Sequence, residues 1–174
     1  MAEISKSDRY QLLTVALDKK PIRSVGGLTV IPDLALNELD LQDAAMIILP
    51  GGTAWEEKKN REIVPILEEY VRHEGRIAAI CSATTLLADM GLLDNVRHTS
   101  NAKFYLTHFS TSYKGPNNYV EEPAITDKNI ITASGTAPVE FAREIFKMLS
   151  LMDEARIEEW FQLFKNGIWE QSEV

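Results

Sequence analysis

Cysteine is nearly absent: Cys81 is the only one among 174 residues. A single thiol cannot close an internal disulfide, which suits a reducing compartment such as the cytoplasm. Long apolar runs are also missing, because no stretch approaches the roughly 20 residues that a membrane-spanning helix needs. The first ten residues, MAEISKSDRY, lack the apolar centre of a secretory signal peptide. We therefore expect a cytoplasmic protein without a membrane partner.

Positive charge is scarce as well. The chain has 18 basic and 26 acidic residues, for a formal net charge of −8. Its basic residues are scattered, and an acidic surface repels phosphate backbones, so no nucleic-acid partner is expected. Metal-ligand spacing is also missing, and we interpret His73 and His108 as surface or helix-end residues. We expect no metal and no cofactor.

Hydrophobic patterning predicts one α/β domain, 1–174, with a C-terminal helical extension over about 150–174. Short apolar runs bounded by turn signals predict buried strands, and apolar residues at helical spacing predict helices. A Pro-Gly-Gly or a single glycine closes several of these segments. The predicted strands are 11–17, 46–49, 76–81, 96–100, 118–122 and 129–134, with a hairpin arm at 25–34. The predicted helices are 63–72, 84–90, 138–149 and 153–165.

Cys81 lies in the stretch RIAAICSATTLLADMGLL, at the junction of a predicted strand and a predicted helix. Small residues flank it, Ala79 two positions before and Ala83 two positions after, as the tight turn of a nucleophile elbow requires. A thiol at the N-terminus of a helix meets unpaired N–H groups, which favour the thiolate. Taken locally, the same pattern also fits a small buried side chain.

The stretch LPGGTAW follows the predicted strand at 46–49. Both it and Cys81 are expected at the carboxyl edge of the sheet, where ligands of open α/β folds bind. The amides of Gly51 or Gly52, with that of Ser82, are therefore candidates for an oxyanion hole. The alternative is a plain turn. Trp55 either walls the pocket or packs beneath the loop.

The stretches ILPGGTAW, RIAAICSATTLLADMGLL and TASGTAPVEFAREIFKML together resemble successive landmarks of the PfpI family of protease/amidase-like proteins. The resemblance runs from about Tyr10 to Leu149 and includes PIRSVGGLTVIPD. It implies a flavodoxin-like three-layer sandwich with a mostly parallel sheet, of the class I glutamine amidotransferase-like type. A homodimer is also implied.

The resemblance further implies the roles of individual residues. Cys81 is the reactive residue, Gly52 and Ser82 supply the oxyanion amides, and Gly135 and Thr136 lie near the cysteine as candidate ligand contacts. The alternative for Thr136, which we favour, is the N-cap of the helix that begins at Pro138.

Two departures from the family pattern bear on the chemistry. Many members have a histidine 20 residues after the cysteine, and Asn101 stands there in this chain. Asparagine forms hydrogen bonds but does not take a proton at neutral pH. His98 precedes it by three residues, and alternation along a strand would place the two on opposite faces.

The second departure concerns the N-terminus. Family members begin with an apolar strand followed by an acidic residue that hydrogen-bonds the cysteine, whereas MAEISKSDRYQLLTVAL matches the end of the first helix. In a flavodoxin-like sheet that first strand is central. Three explanations stay open: a truncated sequence, a different strand pairing, or replacement of the strand by a partner chain.

The residues therefore lead to three functional hypotheses. The first is a cysteine-dependent hydrolase or lyase that acts on a small electrophile, with Cys81 attacking and backbone amides holding the oxyanion. The second is a non-catalytic stress-response or redox-sensing protein whose cysteine is oxidised reversibly. The third is a pseudo-enzyme that serves as a binding module. The substitution of histidine by Asn101 weakens the first hypothesis more than the second.

Overall fold

The computed structural model describes residues 1–169, and its main sheet has four strands. The strands are β1 (Val15–Ala16), β2 (Ile22–Arg23), β3 (Thr29–Val30), β4 (Leu34–Ala35), β5 (Ile47–Leu49), β6 (Ile77–Ile80), β7 (Ala124–Asp127) and β8 (Ile130–Ala133). The helices are α1 (Ala2–Ser5), α2 (Val64–Arg72), α3 (Thr84–Asp89), α4 (Lys103–Phe109), α5 (Pro138–Met148) and α6 (Glu154–Asn166). Short 3-10 turns lie at Leu36–Glu38, Arg61–Ile63 and Cys81–Ala83.

The strand order of the main sheet is β5-β6-β8-β7. The first three strands are parallel, and β7 pairs antiparallel with β8. Two small sheets lie apart from it: β1 pairs parallel with β4, and β2 and β3 form a hairpin. Because β5 and β6 are parallel and adjacent, their carboxyl ends bring Gly51 and Cys81 to one edge.

Two apolar clusters pack against opposite faces of the sheet. Alternation along β6 directs Ile77 and Ala79 into one cluster, and Ala78 into the other. The first contains Leu67 of α2 and Leu87 of α3, and the second contains residues of α5 and α6. Helices therefore cover both faces of a mostly parallel sheet, and the predicted flavodoxin-like α/β class is confirmed.

Most predicted helices and central strands are present. The expected start of α5 at Pro138 is observed. Gly91 (φ +71°) and Gly167 (φ +69°) adopt the left-handed conformation just after α3 and α6. The predicted C-terminal extension includes α6, which packs on α5. Its last residues, 170–174, lie outside the described part.

Three predicted strands are wrong or shortened. The segment 11–17 contributes only β1, and Leu13, Val15 and Leu17 are exposed rather than buried. The segments 96–100 and 118–122 meet in one isolated bridge between His98 and Tyr119. Two backbone hydrogen bonds of this bridge, from His98 N–H to the Asn118 carbonyl at 3.2 Å and from Val120 N–H to the His98 carbonyl at 2.9 Å, are extended by a side-chain bond from the Thr99 hydroxyl to the Glu122 carbonyl at 2.7 Å.

The prediction that Thr136 caps α5 is wrong. Ala137 occupies the N-cap position and makes no side-chain cap. The Thr136 hydroxyl lies 3.0 Å from that of Ser134 instead, because the turn places the first helical N–H groups one residue further on.

Strand β5 has a single neighbour, β6, in the described sheet. Leu49 is buried, but Ile47 and Ile48 are only half-buried, as in an edge strand. Among residues 1–169, no helix combines the length and the apolar character needed to cross a membrane.

Candidate functional site

Cys81 lies on a sharp corner between β6 and α3. Its backbone has φ +61°, a left-handed conformation that residues with a side chain seldom adopt. Ala79 and Ala83 are fully buried on either side, so larger residues would not fit the corner. The hydroxyl of Thr84 donates to the Cys81 carbonyl at 2.6 Å and fixes the turn. The predicted elbow is therefore present, with the thiol half-buried.

Two glycines enclose Cys81. A methyl group on Gly51 would lie 2.8 Å from Cys81 Cβ, and one on Gly135 would lie 2.8 Å from Sγ. Both distances are shorter than any normal carbon contact, so each position needs a residue without a side chain. Gly135, predicted near the cysteine, is in direct contact with it.

Asn101 is the side chain that hydrogen-bonds the thiol. Its Nδ2 donates to Cys81 Sγ at 3.4 Å, and its Oδ1 accepts from the Gly135 N–H at 2.9 Å. The second bond sets the orientation of the amide, because only the oxygen can accept from a backbone N–H. The thiol therefore faces a hydrogen-bond donor and not a base.

His98 does not take the place of that base. The ring is fully buried, with Nδ1 2.8 Å from the carbonyl of Val96 and Nε2 2.6 Å from the hydroxyl of Tyr113. Burial lowers its pKa. Both ring nitrogens are thus engaged, away from Cys81. His73 and His108 are exposed near the ends of α2 and α4.

The expected oxyanion amide of Gly52 is already engaged. Its N–H donates to the hydroxyl of Ser82 at 3.1 Å, and that hydroxyl donates to the Gly52 carbonyl at 2.8 Å. These two hydrogen bonds connect the Gly-Gly turn to the Cys81 elbow. Gly52 therefore faces the Ser82 side chain in this state.

Trp55 and Thr136, the other two predicted ligand contacts, form their hydrogen bonds with residues other than Cys81. Trp55 Nε1 donates to the carbonyl of Pro50 at 2.7 Å, and its ring packs on the core cluster beneath the loop. Thr136 is exposed and bonds Ser134. Neither forms a hydrogen bond to Cys81.

A polar pair that the sequence pattern does not predict lies in the segments that follow the Gly-Gly turn and Asn101. Tyr105, on α4, donates its hydroxyl proton to the carboxylate of Glu56, which follows the Gly-Gly turn. Burial, the Glu56 carboxylate and negative charge on Cys81 all raise the pKa of Tyr105. The phenol therefore keeps its proton. A polar residue four positions after Asn101 was the available signal, but α4 was not predicted.

A metal-binding arrangement is not found in the described residues: none of their His, Cys, Asp and Glu side chains gather in groups of three or more. The site's polar atoms are instead a thiol, a side-chain amide, a phenol, a carboxylate and backbone N–H groups. This set offers hydrogen-bond donors and acceptors around the Cys81 thiol.

Comparison with known proteins places this arrangement among relatives. The model of the DJ-1/PfpI family matches residues 2–148. The uncharacterized protease YoaZ of Bacillus subtilis is 39% identical over 155 residues, which cover 89% of this chain and 74% of that protein. The glutathione-independent glyoxalase DJR-1.2 of Caenorhabditis elegans is 25% identical, over 80% of this chain and 73% of that protein.

Solved structures of related proteins have the same fold. The thiJ/pfpI family protein from Bacillus anthracis has a TM-score of 0.84 at 39% identity, covering 90% of this chain and 74% of that one. A DJ-1 superfamily protein from Agrobacterium tumefaciens has a TM-score of 0.81 at 33% identity, with 89% and 82% covered.

Proposed function

The chain belongs to the DJ-1/PfpI family, and on that premise we propose that it is a cysteine-dependent enzyme acting on a small electrophilic carbonyl or amide. The observation that carries the proposal is the geometry of Cys81: a thiol on a left-handed elbow, enclosed by two glycines and hydrogen-bonded by Asn101. Such a corner costs backbone strain, which persists where a side chain must be held in one place.

In the proposed reaction the Cys81 thiolate adds to the carbonyl carbon. The S–C bond forms, the C–O π bond breaks, and its electron pair moves onto the oxygen. The Ser82 N–H stabilises that oxyanion, joined by the Gly52 N–H once the Ser82 hydroxyl turns away from it. The thiol proton leaves to water, because Asn101 cannot accept it. An addition or lyase-type reaction suits this site better than a hydrolysis that needs a base beside the sulfur.

Two relatives support a carbonyl substrate, since one is named a protease and another a glyoxalase. The test is a screen of 2-oxoaldehydes, activated esters and small amides against the wild type, Cys81→Ala and Cys81→Ser. We expect turnover in the wild type that both variants lose. Equal turnover in Cys81→Ala, or none in any of the three, would reject the proposal.

A redox-sensing role is the second candidate, and Asn101 favours it. A donor that cannot take a proton suits an oxidised sulfur, whose oxygens accept hydrogen bonds. Hydrogen peroxide should then add one or two oxygens to Cys81, measured by mass spectrometry, and Asn101→Ala should let oxidation run on to the sulfonic acid. Catalytic turnover lost in Cys81→Ala would favour the enzyme instead.

We also propose a homodimer. The β2–β3 hairpin and the segment after it expose Val25 (93%), Leu28 (71%) and Ile31 (69%), an apolar surface that a second copy would cover. Sedimentation velocity of the wild type should give twice the monomer mass. The double variant Val25→Asp/Leu28→Asp should sediment with the mass of one monomer. A wild type that sediments as a monomer at tens of micromolar contradicts the dimer.

A further inference from the structure

Glu56 and Tyr105 form a polar pair in the two segments that follow the Gly-Gly turn and Asn101. The Tyr105 hydroxyl donates to Glu56 Oε1, and both side chains are half-buried. They come from different elements, the loop after Gly52 and helix α4, 49 residues apart. The hydrogen bond therefore fixes the carboxylate at a defined place instead of leaving it to rotate in water.

Short turns fold each member of this pair back toward a residue of the Cys81 site: Trp55 N–H donates to the Gly52 carbonyl at 3.2 Å, and Tyr105 N–H donates to the Ala102 carbonyl at 3.1 Å. Tyr105 is four residues after Asn101, whose amide touches Sγ, and Glu56 is four residues after Gly52, which is bonded to Ser82. Cys81 is close enough to Tyr105 for its negative charge to raise the pKa of the phenol. A carboxylate bonded to that phenol is consequently within electrostatic range of a molecule reacting at Cys81.

Glu56 also differs from the acidic residues around it. No ion pair joins it to a basic residue in the part of the chain that the structure describes, whereas Glu57, the next residue, pairs with Lys59. A half-buried carboxylate without a cation attracts one from solution, because its charge is screened less than that of an exposed side chain. Within residues 1–169 its carboxylate accepts one hydrogen bond, from Tyr105 to Oε1, so the second oxygen has no donor there.

We propose that Glu56, held in place by Tyr105, makes the Cys81 site selective for electrophiles that carry a cationic group, such as an ammonium or guanidinium, over anionic ones. The inference deepens the proposed function and rests on it. Here Glu56 is a specificity residue, and Tyr105 is a positioning residue that acts through it.

The test uses three thiol reagents that differ in charge. They are 2-(trimethylammonio)ethyl methanethiosulfonate, which is cationic, 2-sulfonatoethyl methanethiosulfonate, which is anionic, and the neutral methyl methanethiosulfonate. In each case the thiolate attacks the sulfenyl sulfur, a disulfide forms and a sulfinate leaves. Because Cys81 is the only cysteine, the rate of mass increase measures this site alone.

Wild type is compared with Glu56→Gln and with the matched control Glu57→Gln. Both substitutions remove one negative charge, but glutamine at 56 still accepts the bond from Tyr105, and Glu57 is half-exposed and already paired. For each protein the rate with the cationic reagent is divided by the rate with the anionic reagent. Dividing this ratio by the same ratio measured for N-acetylcysteine isolates the effect of the protein. We expect Glu56→Gln to lower this ratio by about fivefold, and Glu57→Gln to leave it within about twofold. A change in the fraction of thiolate alters all three rates equally, so it is read from the neutral reagent and cancels in the ratio.

Two results would overturn the inference alone: a ratio that does not change in Glu56→Gln, or an equal fall in Glu57→Gln, which would assign the selectivity to the general acidic surface. If the neutral reagent modifies the wild type in denaturant but not in the folded state, both the proposed function and the inference are rejected.

Tyr105→Phe provides a second readout. It keeps the ring, which packs against Phe109 with centroids 4.7 Å apart, and removes only the hydroxyl. Glu56 keeps its charge but loses its fixed position, so the rate ratio should fall part of the way toward that of Glu56→Gln. A ratio equal to the wild-type value would assign selectivity to Glu56 without Tyr105.

Discussion

The side-chain amide of Asn101 bridges the backbone of Gly135 and the thiol of Cys81. Oδ1 accepts from the Gly135 N–H at 2.9 Å, and Nδ2 donates to Sγ at 3.4 Å. The residue that stands where many members of the family have a histidine is thus a hydrogen-bond donor to the sulfur that cannot take up its proton.

Replacing Asn101 should change the reactivity of Cys81 in a graded way. Asn101→Asp still accepts from Gly135 but puts a carboxylate beside Sγ, and like charge opposes the thiolate. We expect its alkylation by iodoacetamide at pH 7 to slow by about tenfold or more, and Asn101→Ala to slow by about fivefold. Initial rates measured by mass spectrometry check this. Alkylation of Asn101→Asp at the wild-type rate would contradict it.

Adding a methyl group to the Gly-Gly turn should discriminate between its two positions. Alanine at Gly51 would place Cβ 2.8 Å from Cys81 Cβ, whereas nothing lies within 4 Å of a Cβ at Gly52. We expect Gly51→Ala to cost about 2 kcal/mol in the free energy of unfolding and to displace the thiol. Urea unfolding and the iodoacetamide rate measure both effects. Gly52→Ala is the control, and an equal loss in both variants would count against the contact.

Buried His98 should make the protein less stable in mild acid. Burial lowers its pKa in the folded state below the value near 6.5 of an unfolded chain. As pH falls through 6.5 the unfolded state takes up the proton first, so stability decreases toward the folded pKa. The advantage of wild type over His98→Gln in the free energy of unfolding should thus shrink between pH 7.5 and 5.5. A constant difference over that range would exclude this effect.

The ion pair between Lys165 and Glu140 should contribute to the attachment of helix α6 to α5, beside a longer pair between Arg143 and Glu158. Lys165 Nζ lies 2.6 Å from Glu140 Oε1, and the Glu140 residue is only 6% exposed. Lys165→Met would leave that carboxylate buried without its partner, so we expect a loss of about 2 kcal/mol, reduced because water reaches the lysine.

The control for this pair is Lys147→Met, whose Nζ is 3.7 Å from Glu144, a carboxylate that keeps a 2.7 Å hydrogen bond from the Thr126 hydroxyl. Its cost should stay below about 0.5 kcal/mol. Thermal unfolding of both variants, and of Glu140→Leu combined with Lys165→Met, measures the difference. The double variant should recover most of the loss. Failure to recover would mean that the lysine acts through packing.

Local chemistry explains which parts of the fold the sequence predicted. Strands β6 and β8 are short apolar runs between turn signals, and α5 begins at a proline, so their patterns are clear without tertiary information. Strand β7 is a half-polar edge strand, AITD, which has no such pattern. Helix α4, KFYLTHF, lacks a capping side chain and carries aromatic and β-branched residues, so its helical state depends on packing.

The sequence likewise predicts some features of the candidate site and not others. Cys81 and the glycine turn were predictable, because two adjacent parallel strands must end at the same edge of the sheet. The contact of Gly135 with the thiol followed from the family resemblance. The Tyr105–Glu56 bond joins a loop to a helix that was not predicted, and the engagement of Gly52 by Ser82 depends on a side-chain rotamer. The second has no signature in the sequence, and the only signal for the first is a tyrosine four positions after Asn101.

The left-handed backbone at Cys81 lowers the stability of the fold at the residue on which the proposed function depends. A side chain at φ +61° costs on the order of 1 kcal/mol that glycine would not incur. Cys81→Gly should therefore raise the melting temperature while it abolishes every reaction of the thiol. The conformation that presents the thiol is therefore one that the stability of the fold alone would not favour.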